Sequence, residues 1–166
     1  MRMRKLGALL SLAAMVCPNM VEPALAATAT TTFTVTATAT KACNISATSL
    51  NFGNYDPTAG TPLDSTSSIT ILCTTGTTYN VGLNAGSAPG ATVTARKMTN
   101  GANTLNYALY QDSSRTINWG NTVGTDTLAG TAGGTAATLT VYGQVPALQN
   151  VPVGAYTDTV TATITY

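Results

Sequence analysis

The stretch Thr30–Lys41 reads TTTFTVTATATK and alternates throughout. Phe33, Val35, Ala37 and Ala39 fall on one parity; Thr32, Thr34, Thr36, Thr38 and Thr40 fall on the other. Successive side chains of a strand point to opposite faces. The stretch therefore reads as a strand with one apolar face and one threonine face. No Asn-Gly or Asp-Gly turn follows it, only Lys41-Ala42-Cys43. A strand with no local mate must find a sheet edge elsewhere. Whether that edge belongs to its own chain or to another decides the fold and the function.

Upstream, Arg2, Arg4 and Lys5 precede the apolar run Leu6–Val16 (LGALLSLAAMV). That run is too short to span a bilayer. Ala24-Leu25-Ala26 then supplies small residues at a cleavage site, so residues 1–26 read as a signal peptide. The alternatives are an uncleaved anchor and lipoprotein processing at Cys17, which Val16 disfavours. Residues 27–166 then carry four cations (Lys41, Arg96, Lys97, Arg115) against five carboxylates (Asp56, Asp64, Asp112, Asp126, Asp158), a net of −1. Nothing in that balance attracts nucleic acid or an anionic membrane. A leader such as residues 1–26 predicts export out of the cytoplasm.

Cys43 and Cys73 are the cysteines left after cleavage. An exported chain with two cysteines is expected to join them. The other readings are two free thiols or a metal site, and the chain has no histidine to complete the latter.

Along the chain, Leu50 and Phe52 suggest a short strand, which Asn54–Pro57 and Ala59–Pro62 break. Ser67–Cys73, Tyr79–Leu83 and Leu105–Leu109 alternate clearly, and Thr92–Met98 does so weakly. Asn100-Gly101 is a hairpin signal. Asn121–Thr135, rich in Gly and Thr, reads as loop; Thr138–Val145 reads as a strand interrupted by Gly143. Tyr156–Tyr166 alternates again, with Val160, Ala162, Ile164 and Tyr166 on one face. About seven short strands without helical periodicity predict an all-β sandwich of two antiparallel sheets. The expected organisation is a signal peptide (1–26), an N-terminal extension (27–41) and one sandwich (42–166).

The order of several motifs resembles a known family. Cys43 leads into Ser49-Leu50-Asn51-Phe52-Gly53-Asn54-Tyr55-Asp56-Pro57. Arg96 and Met98 precede Leu105-Asn106-Tyr107-Ala108-Leu109-Tyr110, then Trp119-Gly120. Gly154, Tyr156 and Asp158 open a threonine-rich strand that stops at Tyr166. Together these resemble spore coat protein U domains, the domain shared with Csu-type, or archaic, chaperone–usher pilins. The resemblance implies an immunoglobulin-like sandwich lacking one strand. A periplasmic chaperone lends that strand, and at an outer-membrane usher the next subunit's N-terminal extension replaces it. On this reading Phe33, Val35, Ala37 and Ala39 form the donor strand, and Val160, Ala162, Ile164 and Tyr166 form the final strand beside the acceptor groove. Ala37 and Ala39 are small for donor residues, which implies a shallow groove there or a different register. The lone sandwich resembles a repeating rod subunit. The implied partners are identical or related pilin subunits in a head-to-tail polymer, a chaperone and an usher. The implied role is a surface pilus or fimbria supporting adhesion or biofilm formation. The alternative is a spore-coat or extracellular matrix protein whose sandwich completes itself.

Other chemistry has little support. Without histidine there is no His-based triad or base. No cofactor, metal, small-molecule substrate or enzymatic activity is expected. Asp112-Ser113-Ser114-Arg115 reads as a polar turn before it reads as a ligand contact. Asn44-Ile45-Ser46 fits a short glycosylation pattern that often arises by accident. Tyr55, Tyr110, Tyr142 and Trp119 are candidates for stacking on sugars, against the commoner alternative that they fill the core.

Overall fold

The computed structural model describes residues 25–166, so the signal-peptide features from Arg2 to Ala24 lie outside the described residues. The chain divides into two units after Ala37. In the first unit the described residues, 25–37, contain no helix or strand. Phe33 is 85% exposed and Val35 81%. The alternating segment is thus unpaired, where the pattern alone predicts a strand.

The second unit, Thr38–Tyr166, is all-β among the described residues. Its strands are β1 (Cys43–Ala47), β2 (Leu63–Cys73), β3 (Thr78–Leu83), β4 (Arg96–Asn100), β5 (Asn103–Tyr110), β6 (Leu128–Thr131), β7 (Ala137–Val145) and β8 (Ala162–Thr165). One sheet has the order β1-β2-β7-β5-β4 and the other β6-β3-β8. All pairings between strands are antiparallel. The inward parity of each long strand builds the core: Ile69 and Ile71 from β2, Val81 and Leu83 from β3, Leu105 and Leu109 from β5. Cys43 faces Cys73 in the β1–β2 register, and the two are joined in a disulfide.

Two buried side chains tie the sheets together. Trp119 has no exposed surface, and its indole Nε1–H donates to the Val81 carbonyl at 2.8 Å. Arg96, also fully buried, donates from Nε to the Asn84 carbonyl, from Nη1 to Val93, and from Nη2 to Leu83 and Trp119. Four carbonyls satisfy the guanidinium without a carboxylate partner in contact. Burial still lowers its pKa from the ordinary arginine value.

Several elements differ from the sequence reading. Leu50 and Phe52 do share an inward face, but their backbone joins no strand. They pack over β7 at Gly143, where a Cβ would come within 2.7 Å of Leu50 Cδ1 and 2.9 Å of Phe52 Cζ. Gly143 therefore makes room for them, and β7 runs through it without interruption. The weak strand expected at Thr92–Met98 lies at Arg96–Asn100, because Thr92 and Ala95 close a tight bridge instead. The Asn100-Gly101 signal does mark the β4–β5 hairpin, with Gly101 at φ +58°. The Gly/Thr-rich run 121–135 contains β6, held by pairing with β3. β1 was not expected, since its five residues carry one strongly strand-favouring side chain, Ile45. Of Tyr156–Tyr166, only Ala162–Thr165 is a strand.

Candidate functional site

β8 ends the three-stranded sheet: it pairs with β3, no other described strand is hydrogen-bonded to it, and β1 of the larger sheet lies close by. The alternation read in the sequence extends well beyond its four residues. Tyr156, Asp158, Val160, Ala162 and Ile164 are half-buried, while Thr157, Thr159, Thr161, Thr163 and Thr165 are exposed. Thr161 uses both backbone groups towards β3's end: its N–H donates to Asn84 Oδ1 at 2.9 Å, and its carbonyl accepts from Asn84 N–H at 3.1 Å. Backbone groups alternate in direction along a strand. Those of Ala162 and Ile164 therefore point to the open side, where no strand receives them.

β1 ends the larger sheet at the same side of the sandwich. Between the segment 47–57 that follows β1 and the segment 151–162 that precedes and enters β8 runs a groove. It consists of two adjoining cavities of about 680 and 740 Å³ that share Leu50, Phe52, Met98 and Tyr156. Core residues of both sheets, among them Ile69, Leu83, Leu109 and Val141, line the first. The sandwich is thus open to its core along one side. Core side chains such as Ile69, Leu83 and Val141 in the groove, with main-chain groups free along β8, together suit an extended peptide with alternating apolar side chains.

One carboxylate lines the groove, that of Asp158. Its Oδ2 accepts from the Tyr107 hydroxyl at 2.6 Å, and its Oδ1 accepts from Ser87 N–H, Ser87 Oγ–H and Thr159 N–H. Burial pushes the Asp158 carboxyl up, but these hydrogen bonds outweigh it and hold the group below the ordinary aspartate value. Burial, with the same hydrogen bond to Asp158, raises Tyr107 above the ordinary phenol range. The pair is therefore a neutral hydroxyl donating to an ionised carboxylate. Gly86, at φ +89°, is required beside it, because a Cβ there would collide with the Asp158 carboxylate.

Of the residues expected to act, Val160 and Ala162 line the groove, Ile164 is half-buried further along β8, and Tyr166, 53% exposed, lies just past β8. Phe33, Val35, Ala37 and Ala39 are exposed and belong to no strand. The sequence marked Asp158 and Leu50–Pro57 only as family features; their place on the groove depends on pairings distant in sequence. The remaining candidates have structural occupations. Trp119 is fully buried and offers no face to a sugar. The Tyr55 hydroxyl donates to the Pro146 carbonyl and accepts from Gln149 N–H. Asp112 accepts from Ser114, Thr116 and Ile117 and closes its own turn. Arg115 pairs with Asp64 at 3.1 Å.

Comparison with known proteins adds the following. The model of the family described as Spore Coat Protein U domain matches residues 29–163. Protein U of Myxococcus xanthus is 44% identical over 159 residues, covering 87% of this chain and 88% of its own. A chain in the crystal structure of the CsuC–CsuE chaperone–tip adhesion subunit pre-assembly complex, from archaic chaperone–usher Csu pili of Acinetobacter baumannii, is similar in fold. It superposes with a TM-score of 0.56 at 27% identity, over 76% of this chain. This chain spans 40% of that one's length. The P pilus rod subunit PapA gives a TM-score of 0.48 at 17% identity, covering 75% of this chain and 98% of PapA.

Proposed function

The chain belongs to the Spore Coat Protein U domain family, and from that premise we propose that it is a structural subunit of a surface filament assembled by donor-strand exchange. The observation that carries this is the open side of the sandwich. β8 has a free edge, a groove reaches the core beside it, and the same chain carries an unpaired segment of matching alternation.

Inserting Phe33, Val35, Ala37 and Ala39 of one copy beside Val160, Ala162 and Ile164 of another supplies what the groove lacks. Burying Phe33 and Val35 contributes roughly 1.5–3 kcal/mol each. Each main-chain hydrogen bond formed along β8 adds about 0.5–1.5 kcal/mol net. The donor and the groove are different surfaces, so each contact is head-to-tail and repeats as a filament unless it closes into a ring. A groove that opens onto the core needs a temporary occupant before assembly, which fits a periplasmic chaperone and transfer at an usher. The similarity to a chain from a chaperone–subunit pre-assembly complex of chaperone–usher pili supports the chaperone step. Export with removal of residues 1–26 and a role in adhesion or biofilm formation belong to the same proposal.

A second reading has an observation of its own. The 44% identity to Protein U, with the family's description, favours a coat protein of a spore or cell surface. Genes for a chaperone and usher beside this one favour the pilus; their absence favours the coat with a self-completed sandwich.

Phe33→Asp tests strand exchange. The variant is expected to remain short of filaments by electron microscopy and sedimentation while wild type assembles. Equal assembly of both would show that the apolar face of the extension is not the donor.

A further inference from the structure

Read backwards, Lys41 to Phe33 is KTATATVTF; read forwards, Asp158 to Tyr166 is DTVTATITY. The two agree in chemical type at every position. A cation meets a carboxylate, threonine meets threonine four times, Ala39 meets Val160, Ala37 meets Ala162, Val35 meets Ile164, and Phe33 meets Tyr166. We propose that in the exchanged pair Lys41 of one copy's extension meets Asp158 of the next copy and Phe33 meets Tyr166, and that these two end contacts set the register. The proposal rests on strand exchange between copies and specifies its alignment.

The ends carry the argument, because the middle tolerates slippage. A shift of one residue turns the threonines inward and is excluded by the half-buried face of Val160, Ala162 and Ile164. A shift of two keeps every threonine outward and is excluded by charge. It sets Lys41 against Tyr156 and Asp158 against Ala39, or Lys41 against Val160, leaving the Lys41 ammonium with no carboxylate opposite it. Lys41 shares the groove-facing parity of the extension, and Asp158 is the carboxylate of the groove. A parallel arrangement puts Phe33 near Asp158 and Lys41 near Tyr166. Only the antiparallel alignment joins charge to charge and ring to ring. Threonine pairs across neighbouring strands add to sheet stability.

The geometry also singles out a probe. Thr161 turns its backbone towards Asn84, so Thr163, on the same parity, does likewise. Towards an added strand, Thr163 then sits in a non-hydrogen-bonded pair, with a Cα separation of about 4.5 Å to its partner. That separation suits a disulfide. In the proposed register its partner is Thr36.

Full-length chains carrying Thr36→Cys alone are mixed with chains carrying Thr163→Cys alone, assembled and oxidised. A covalent dimer on a non-reducing gel is expected, with yields roughly tenfold lower when Thr161→Cys or Thr165→Cys replaces Thr163→Cys. Capture at Thr161 or Thr165 instead, or filaments with no capture, overturns the register while strand exchange stands. A chain with both Thr36→Cys and Thr163→Cys that closes on itself as a monomer, with no mixed dimer, overturns exchange as well. Lys41→Glu is expected to lower the Thr36–Thr163 yield roughly tenfold by facing like charges. An unchanged yield would remove the charge pair from the register.

Discussion

At Arg96 the chain places a guanidinium where no solvent reaches it. Its donors hold the carbonyls of Leu83 at the end of β3, Asn84 and Val93 in the β3–β4 connection, and Trp119 in the β5–β6 connection. A methionine at this position fits the volume but leaves those carbonyls without their donors. Arg96→Met is therefore expected to lose about 3–5 kcal/mol, read from the urea midpoint. Arg96→Lys is expected to recover only part, because one ammonium cannot reach four diverging carbonyls. Asp158 gives a second prediction. Its folded-state pKa lies below the ordinary 3.8. Folding thus favours the ionised form, so its contribution is complete above about pH 4 and fades as pH falls through the lowered value. Asp112, also held low by the hydrogen bonds of its turn, loses its contribution in the same direction. Asp158→Asn should be less stable at neutral pH and show a shallower loss of stability from about pH 5 to pH 2. Urea unfolding at several pH values checks both.

Among the elements, the ones legible in the sequence have a side chain to spare at every inward position. Ile69-x-Ile71-x-Cys73 and Leu105-x-Tyr107-x-Leu109 announce β2 and β5 because every second residue is apolar and turned inward, with Thr70 and Asn106 between them facing out. β6 offers Leu128 alone among Ala, Gly and Thr, and becomes a strand only because β3 lies beside it. β1 depends likewise on β2, and its register is pinned where Cys43 meets Cys73. The groove was legible in one half. The alternation of Tyr156–Tyr166 gave the face of Val160, Ala162 and Ile164, but Leu50 and Phe52 reach the other bank only through Gly143, which no local pattern announces. Removing the disulfide tests how far β1 depends on it. Its ends lie 30 residues apart, and the chain-entropy model puts the loss at about 3.6 kcal/mol. A Cys43→Ala/Cys73→Ala chain should unfold at a lower urea concentration, and hydrogen exchange should rise first in residues 43–47. Uniform exchange across the sandwich would mean that β1 is held by packing alone.

For the whole molecule, the open side and the antiparallel register converge on one engineered form. Antiparallel neighbours can be joined by a two-residue turn, whereas parallel ones need a crossover of a dozen or more residues. If the donor runs antiparallel to β8, its Phe33 end lies beside Tyr166. A chain continued after Tyr166 through Asn-Gly into a copy of Phe33–Lys41 then has the turn it needs to fill its own groove. This form is expected to be monomeric by sedimentation, to leave no vacancy for another copy's extension, and to melt at least about 10 °C higher than the open subunit. The gain arises from burial of the copied Phe and Val and from main-chain bonds along Val160, Ala162 and Ile164. A flexible linker of a dozen or more residues in place of Asn-Gly makes the comparison decisive, since it permits either direction. Closure by both linkers supports the antiparallel donor. Closure by the long linker alone means a parallel donor, and the pairing of Lys41 with Asp158 would fall with it. If neither closes while wild type still forms filaments, the extension docks on some other surface, and the groove beside β8 would need a different occupant.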